Sequence, residues 1–434
     1  MEETTDRAER GTPGFDWYSE LSNEGRYAFK AAYLGWGLDA FDFLVVTFAL
    51  SAIAGYFALS QGAAGFILTV TLVSSAVGGV LAGMLADRIG RARTLMVTVA
   101  VYSVFTFLSG LSQSYEQLLV FRALQGLGFG GEWATGAALI AEYSKPEQRG
   151  RLLGWMQSAW SVGWALAAIA FAIVFTLAEP EIAWRILFFL GILPALLVIY
   201  IRARVRDPEV YVATRRAEQE RRHEALESHA TENPLVQLFR RDLIKTTLLT
   251  FLLATGTQGG IYVQVTWLPT FLLETRNLNV VNTTGYLIVV IGGAFAGYIV
   301  AAYIHDWLGR RPTFALFLAG SIVFLLLYTL IPPGNNTLLL VLSFPLGFFA
   351  YGCFSGFGSY LAELFPTRAR GAGQGFAYNS GRALGAFFPT TVGFLAAAVG
   401  LAAAIGFGSV GYALALLALL FLPETRGKQF VPID

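Results

Sequence analysis

Five ionisable residues, Asp39, Asp42, Arg122, Glu132 and Arg382, interrupt stretches that are otherwise long and apolar. A charge at mid-bilayer costs at least about 2.5–3.5 kcal/mol, so such a residue normally faces an aqueous crevice and carries a function. Asp39 and Asp42 stand three apart in "GWGLDAFDF", which puts them on one helix face. Two neighbouring carboxylates in a low-dielectric site exchange protons as a pair, the property that proton coupling requires. The alternative is that they cap a broken helix or pair permanently with Arg122. Arg122 and Glu132 share one helix but are ten residues apart, about 15 Å along its axis, so they cannot pair directly. Arg122, toward the outer end, reads either as an anchor or snorkelling cation or as part of proton coupling. Glu132 lies deeper, beside Trp133, and reads as a proton or substrate group. Arg382, preceded by Tyr378 and Asn379, offers a planar fork that holds a carboxylate by two parallel hydrogen bonds. Its alternative is a permanent salt bridge to an acid of the first or fourth helix.

Uncharged polar groups add to this set. Gln258, Tyr262 and Gln264 sit in one apolar run and Gln157, Trp160 and Trp164 in another, the latter three on one face by their spacing. They could form the wall of a ligand site, although helix packing explains the tryptophans nearly as well. His305, next to Asp306, is assigned to a loop rather than to a proton relay. Gly126, Gly128, Gly130 and Gly131 follow no strand and lie in an apolar run, so they serve close helix packing, not phosphate binding. No metal cluster or nucleophile–base pair accompanies these residues. No enzyme activity, metal or cofactor is therefore expected; a proton gradient would supply the energy.

The elements that must hold these residues follow from composition. Of 434 residues 55% are apolar and 14% charged, against about 25% charged in soluble chains. The charge is concentrated between long apolar runs. A helix needs roughly 20 apolar residues to cross a bilayer. Twelve segments qualify: 30–54, 62–86, 95–113, 117–142, 152–178 and 184–201, then 244–273, 282–304, 313–331, 338–362, 372–397 and 400–422. Barrel strands would be about ten residues long and alternating. The expected fold is thus all-α, with twelve membrane helices in two six-helix bundles, 30–202 and 243–422. A polar linker, 203–242, joins the bundles, and short tails, 1–29 and 423–434, flank them. The first 28 residues are polar and acidic, unlike a cleaved signal sequence, so the first helix is expected to be retained. The single cysteine, Cys353, falls in an apolar run and reads as a small packing residue.

Basic residues outside the spans fall mostly on every second loop, among them Arg88, Arg91, Arg93, Lys145, Arg149, Arg151, Arg310, Arg311, Arg368 and Arg370. By the positive-inside rule both termini and the linker face the cytosol. The near-neutral charge and the scattering of basic residues give no nucleic-acid footprint. The halves also repeat: "AEYSKPEQRGRLLG" at 141–154 matches "AELFPTRARGAGQG" at 362–375, and "DRIGR" at 87–91 matches "DWLGR" at 306–310. Such repeats place a substrate site between the halves near the midplane.

The motifs carry a family resemblance over nearly the whole chain. "GMLADRIGRAR" (83–93) resembles the signature loop of the major facilitator superfamily, and "AYIHDWLGRRP" (302–312) its weaker second copy. "FRALQGLGFGGEW" (121–133) resembles the helix-4 motif of proton-coupled members, and "LPETRG" (422–427) the end of helix 12 in sugar and metabolite symporters. The Asp-x-x-Asp of 35–43, with "GEWATGAALIAEYSKPEQRG" and "YNSGRALGAFFP", is similar to aromatic-acid:proton and sialate:proton symporters. The fifth span lacks the Gly-Pro motif of drug antiporters, and the seventh lacks the paired glutamines of sugar porters.

The resemblance implies a proton-coupled importer of a small organic anion, in the inner membrane and acting as a monomer in lipid. The anion would be a monocarboxylate, a sialate-like acid or an aromatic acid. Asp39, Asp42, Glu132 and Arg122 would couple protons. Arg382, Asn379, Tyr378, Gln258, Tyr262, Gln264, Gln157 and Trp160 would meet substrate. Asp87, Arg91, Glu142, Arg149, Asp306, Arg310, Glu363 and Arg370 would form gating salt bridges at the helix ends. A sugar or polyol symporter or an uncoupled facilitator is the nearest rival; a channel or membrane enzyme is further off.

Overall fold

The computed structural model describes residue 18 and residues 20–143, 149–205, 234–366 and 369–426. Most of the linker, including 206–233, lies outside the described residues. In the first half α1 (Asn23–Tyr56), α2 (Gln61–Ile89), α3 (Arg91–Ser109), α4 (Tyr115–Tyr143) and α5 (Arg149–Leu177) are continuous. The sixth, α6, comes in two pieces, Pro180–Leu190 and Ala195–Arg204, parted before Pro194. In the second half α7 (Ile244–Thr270) ends in a wide π turn (Phe271–Thr275) just after Pro269. Two uninterrupted helices follow, α8 (Val280–Leu308) and α9 (Arg310–Leu330). α10 tightens in mid-course, running Asn336–Gly352, a 3-10 turn Cys353–Gly356 and Phe357–Leu364. α11 comprises Arg370–Gly385 and Phe387–Val399, and α12 comprises Leu401–Gly406 and Gly408–Leu420.

Twelve spans in antiparallel succession return the chain to the face where it started. Helix starts on the opposite, far face are closed by polar caps: Ser60 accepts from the Ala63 N–H (3.2 Å), Asn279 from Asn282 (2.8 Å) and Asn335 from Leu338 (3.3 Å). The two halves share local geometry as well as motifs. Gly90 and Gly309, with φ of 99° and 108°, make the same sharp turn into α3 and α9.

Within the halves α1 packs on α5, α2 and α3 on α4, α7 on α11 and α12, and α8 on α10. Between the halves α5 meets α8 and α2 meets α11. The α2–α4 contact is close because α4 presents glycine; a Cβ at Gly130 would collide with the Ser75 carbonyl oxygen. The outer surface is apolar. Leu166, Ile169, Ile173 and Leu177 line one exposed side of α5, and Val323, Leu326, Leu327 and Leu330 one side of α9. Apolar surface of that extent suits lipid.

Among the described residues, ten of the spans are long and apolar enough to cross a membrane on hydropathy alone, and α4 and α7 fall short. α7 is an interior helix: every residue from 253 to 272 is buried, as is every residue from 39 to 50 in α1, while on α4 the residues Gly128 to Glu132 are buried. A helix shielded from lipid need not be uniformly apolar, and α4 and α7 both carry residues of the central site.

Candidate functional site

Arg122, Gln125, Phe129 and Glu132 recur on α4 at helical spacing, so they share a face. That face turns toward α1, where Gly35 admits the Glu132 carboxyl; a Cβ at Gly35 would strike it. At the other end of the same face Arg122 lies beside Asp42, which also faces Thr106. The Arg122 Nε donates to Ser109 Oγ (3.1 Å), and its guanidinium lies 4.7 Å from the Phe188 ring centre. Arg122 is wholly buried. It does not snorkel: α3 and α6 cover it, and its counter-charge comes from α1. Asp39, between these ends, senses the charges of Glu132, Asp42 and Arg382. All three acids are 0% exposed.

A cavity of about 450 Å³ of atom-free space opens between the halves. Trp36, Phe43, Phe129, Gln157 and Trp160 line it from the first half, and Ile261, Tyr262, Val265, Tyr298, Tyr351, Phe354, Tyr378 and Arg382 from the second. Arg382 is the only charged residue among these. Its guanidinium lies between two rings, 5.2 Å from the centre of Phe129 and 5.1 Å from that of Tyr378. Its Nη1 donates to Ser75 Oγ (3.4 Å), while Nε has no hydrogen-bond partner. A planar cation held between rings, with a donor unspent, is suited to grip a carboxylate on a flat, unsaturated body.

The carboxylates do not face this cavity. Asp39, Asp42 and Glu132 are absent from its described lining, whose first-half side is made largely of packed rings. Phe43 stacks on Phe129 at 5.0 Å, and Trp36 lies 5.0 Å from Trp160 and 6.5 Å from Phe129. The reading of these acids and Arg382 as one crevice-facing set is therefore corrected. Of the five ionisable residues, the arginine alone is among the described lining residues, with four aromatic side chains from α1, α4 and α5 beside it.

The remaining candidates separate. Gln157, Trp160, Tyr262 and Tyr378 line the cavity. Gln258 does not; its amide donates to the Tyr378 carbonyl (2.9 Å) and its oxygen accepts from Tyr262 Oη (3.0 Å), so it supports two lining tyrosines. Gln264 points into the second bundle, donating to Tyr412 Oη (2.8 Å). Asn379 binds the Gly375 carbonyl (3.0 Å) and packs against Gly79 of α2. Trp164 packs on Tyr351 at 5.1 Å. His305 is helical, not in a loop: α8 continues to Leu308, and the ring is buried 5.1 Å from Phe314. Gln125, Tyr102, Ser103 and Thr106 were missed. Each is a buried polar residue of α3 or α4, and the spacing of Gln125 from Arg122 and Glu132 was the available signal.

On the face carrying the chain ends, Arg310 pairs with Glu363 (3.2 Å) and Arg370 Nε donates to the Ala362 carbonyl (3.0 Å). Arg91 opens α3. The side chains of Asp87, Glu142, Arg149, Asp306 and Trp133 lie outside the described residues. Glu424 accepts the backbone N–H groups of Arg310 and Arg311 (both 2.9 Å) and of Thr425 and Arg426 (both 2.8 Å). Partial burial works against its ionisation, but those four donors outweigh it and hold the carboxyl below its usual range. Between the halves on the far face, Thr69 Oγ1 donates to the Ala386 carbonyl (2.6 Å) and meets Thr390 Oγ1 (2.7 Å), and Ser51 donates to Thr270 (3.3 Å).

The family model described as Major Facilitator Superfamily matches residues 32–389. A protein of Cupriavidus pinatubonensis named as a probable 4-methylmuconolactone transporter is 41% identical, covering 95% of this chain and 94% of its own. A cis,cis-muconate transport protein of Acinetobacter baylyi is 31% identical, covering 95% and 97%. Among solved structures, the partially occluded inward-open xylose transporter XylE from E. coli superposes with a TM-score of 0.73 at 19% identity, over 94% of this chain and all of that one.

Proposed function

The chain belongs to the Major Facilitator Superfamily, a family of membrane transporters, and from that premise we propose that it imports a planar organic monocarboxylate together with protons. It works as a monomer in the inner membrane, by alternating access, with both termini in the cytosol. The observation that carries this reading is Arg382, the one cation among the described lining residues, set among rings in the cavity between the halves. One guanidinium matches one carboxylate, and the rings match an unsaturated or aromatic body. The names of the relatives, a muconolactone and a muconate transporter, support an unsaturated carboxylate, and of the two the muconolactone, with one carboxylate against muconate's two, fits the single guanidinium. Asp39, Asp42 and Glu132 carry the proton, and the proton gradient supplies the energy. Because Arg382 lies within electrostatic reach of Asp39, binding of an anion at Arg382 and of a proton at Asp39 favour each other.

The tyrosines of the lining favour a second reading, an uncharged hydroxylated ligand such as a sugar. Uptake into liposomes under an inward-directed proton gradient separates the two. The probes are 4-methylmuconolactone, cis,cis-muconate, nicotinate and xylose. We expect saturable accumulation of the monocarboxylates 4-methylmuconolactone and nicotinate that collapses on adding a protonophore, and weaker accumulation of the dicarboxylate muconate. Accumulation of xylose alone would replace the substrate assignment, and indifference to the protonophore would remove proton coupling.

A further inference from the structure

Around the three acids the first bundle holds more polar atoms than it satisfies. Both oxygens of Asp39 and of Glu132, both amide atoms of Gln125, Tyr102 Oη, Ser103 Oγ and Ser112 Oγ are buried without a hydrogen-bond partner. Each of these residues is 0% exposed. Polar groups buried within a membrane span are normally satisfied by protein or by ordered water. Apart from Asp39 on α1, they are concentrated on α3, the turn after it and α4, helices that pack on each other. Ser112 lies just past the far end of α3 and Ser109, Thr106, Ser103 and Tyr102 follow down that helix; on α4 Gln125 stands between Arg122 and Glu132. None of them is among the described lining of the substrate cavity, which Phe129, Phe43, Trp36 and Trp160 border as mutually packed rings.

We infer that the first bundle contains its own hydrated proton route, running from the far face past Gln125 to Asp39 and Glu132 and partitioned from the substrate cavity by Phe129 and its neighbouring rings. The inference rests on the proton-coupled reading above. A proton arriving along the route converts one carboxylate to a neutral acid, and its release restores the carboxylate; no other bond changes. The charged and titratable groups facing the route are Asp39 and Asp42 from α1, Tyr102 from α3, Arg122 and Glu132 from α4, with Arg382 across the rings. The partition keeps the route from becoming a leak, because water in the cavity does not join water in the route.

The test needs no substrate. Liposomes containing the protein are given a pH gradient, and its decay is followed with a trapped pH dye. Wild type should be tight. Phe129→Ala should discharge the gradient about tenfold faster, the rate equivalent of roughly one hydrogen bond. Phe129→Ala/Gln125→Leu should be slow again, whereas Phe129→Ala/Gln125→Ser, which leaves room for water, should stay fast. Phe43→Ala is the alternative breach if Phe129→Ala does not insert. Tight vesicles for both breached variants, or a leak indifferent to Gln125→Leu, would overturn the route. Protonophore-insensitive uptake by wild type would instead overturn the coupling it rests on.

Discussion

The guanidinium of Arg382, on α11 of the second half, lies 5.2 Å from the ring centre of Phe129 on α4 of the first. Phe129 lines the cavity and shares its face of α4 with Gln125 and Glu132. The charge of Arg382 also reaches Asp39 on α1, so the cavity cation and a buried acid of the other half are electrostatically linked.

Arg382→Lys keeps the charge and loses the planar fork and the ring contacts. Affinity for a carboxylate probe such as nicotinate should fall about 10–100-fold, the equivalent of one charged hydrogen bond, with helical circular dichroism unchanged. Undiminished uptake by this variant would remove Arg382 from substrate recognition.

Asp42→Asn removes the carboxylate charge that faces the buried Arg122 guanidinium without a direct hydrogen bond to it. Leaving that cation uncompensated costs about 1–3 kcal/mol, visible as a lower melting temperature in detergent. Asp42→Asn/Arg122→Gln should regain much of the loss, since both charges are then gone. A double variant less stable than the single one would mean that Arg122 is held by Ser109 and Phe188 alone.

Gly130→Ala tests the α2–α4 contact. Its Cβ would meet the Ser75 carbonyl oxygen, so the helices must separate, at a cost of about 1–3 kcal/mol. Gly371→Ala, whose Cβ would meet nothing within 4 Å, serves as the neutral control. Equal melting temperatures for the two variants would contradict the packing account.

Glu424 makes a pH prediction. Its folded-state carboxyl titrates below the unfolded value, so its contribution is full above the ordinary carboxylate range near pH 4.3 and is lost as pH falls through the lowered value. Glu424 is exposed, and solvent limits the effect of Glu424→Gln to about 0.5–1 kcal/mol at pH 7. The difference from wild type should shrink toward zero in acid. A gap that widens below pH 4 would show the opposite shift.

The twelve spans were legible because charged loops punctuate the apolar runs at regular intervals. That rhythm located α4 and α7 although, over their described residues, neither is apolar enough by itself. Interruptions were harder to see: the breaks in α6 and α11 and the turn after Pro269 each alter a few hydrogen bonds and leave the apolar pattern untouched. Asp39, Asp42 and Glu132 stood out as charges in hydrocarbon. Whether they join the cavity lining depends on how Trp36, Phe43, Phe129 and Trp160 stack across three helices, and no local spacing encodes that. Gln125 escaped notice because an amide in an apolar run is unremarkable until its neighbours on the face are known.

Closure of the far face owes a share to one hydroxyl, Thr69, reaching the Ala386 carbonyl where α11 is interrupted, four residues beyond Arg382. A single neutral bond of this kind contributes about 0.5–1.5 kcal/mol, one to three times thermal energy. Such a bolt slides without a motor. The two gates can then trade places by ordinary fluctuation, and the ligands need only decide which exchanges complete.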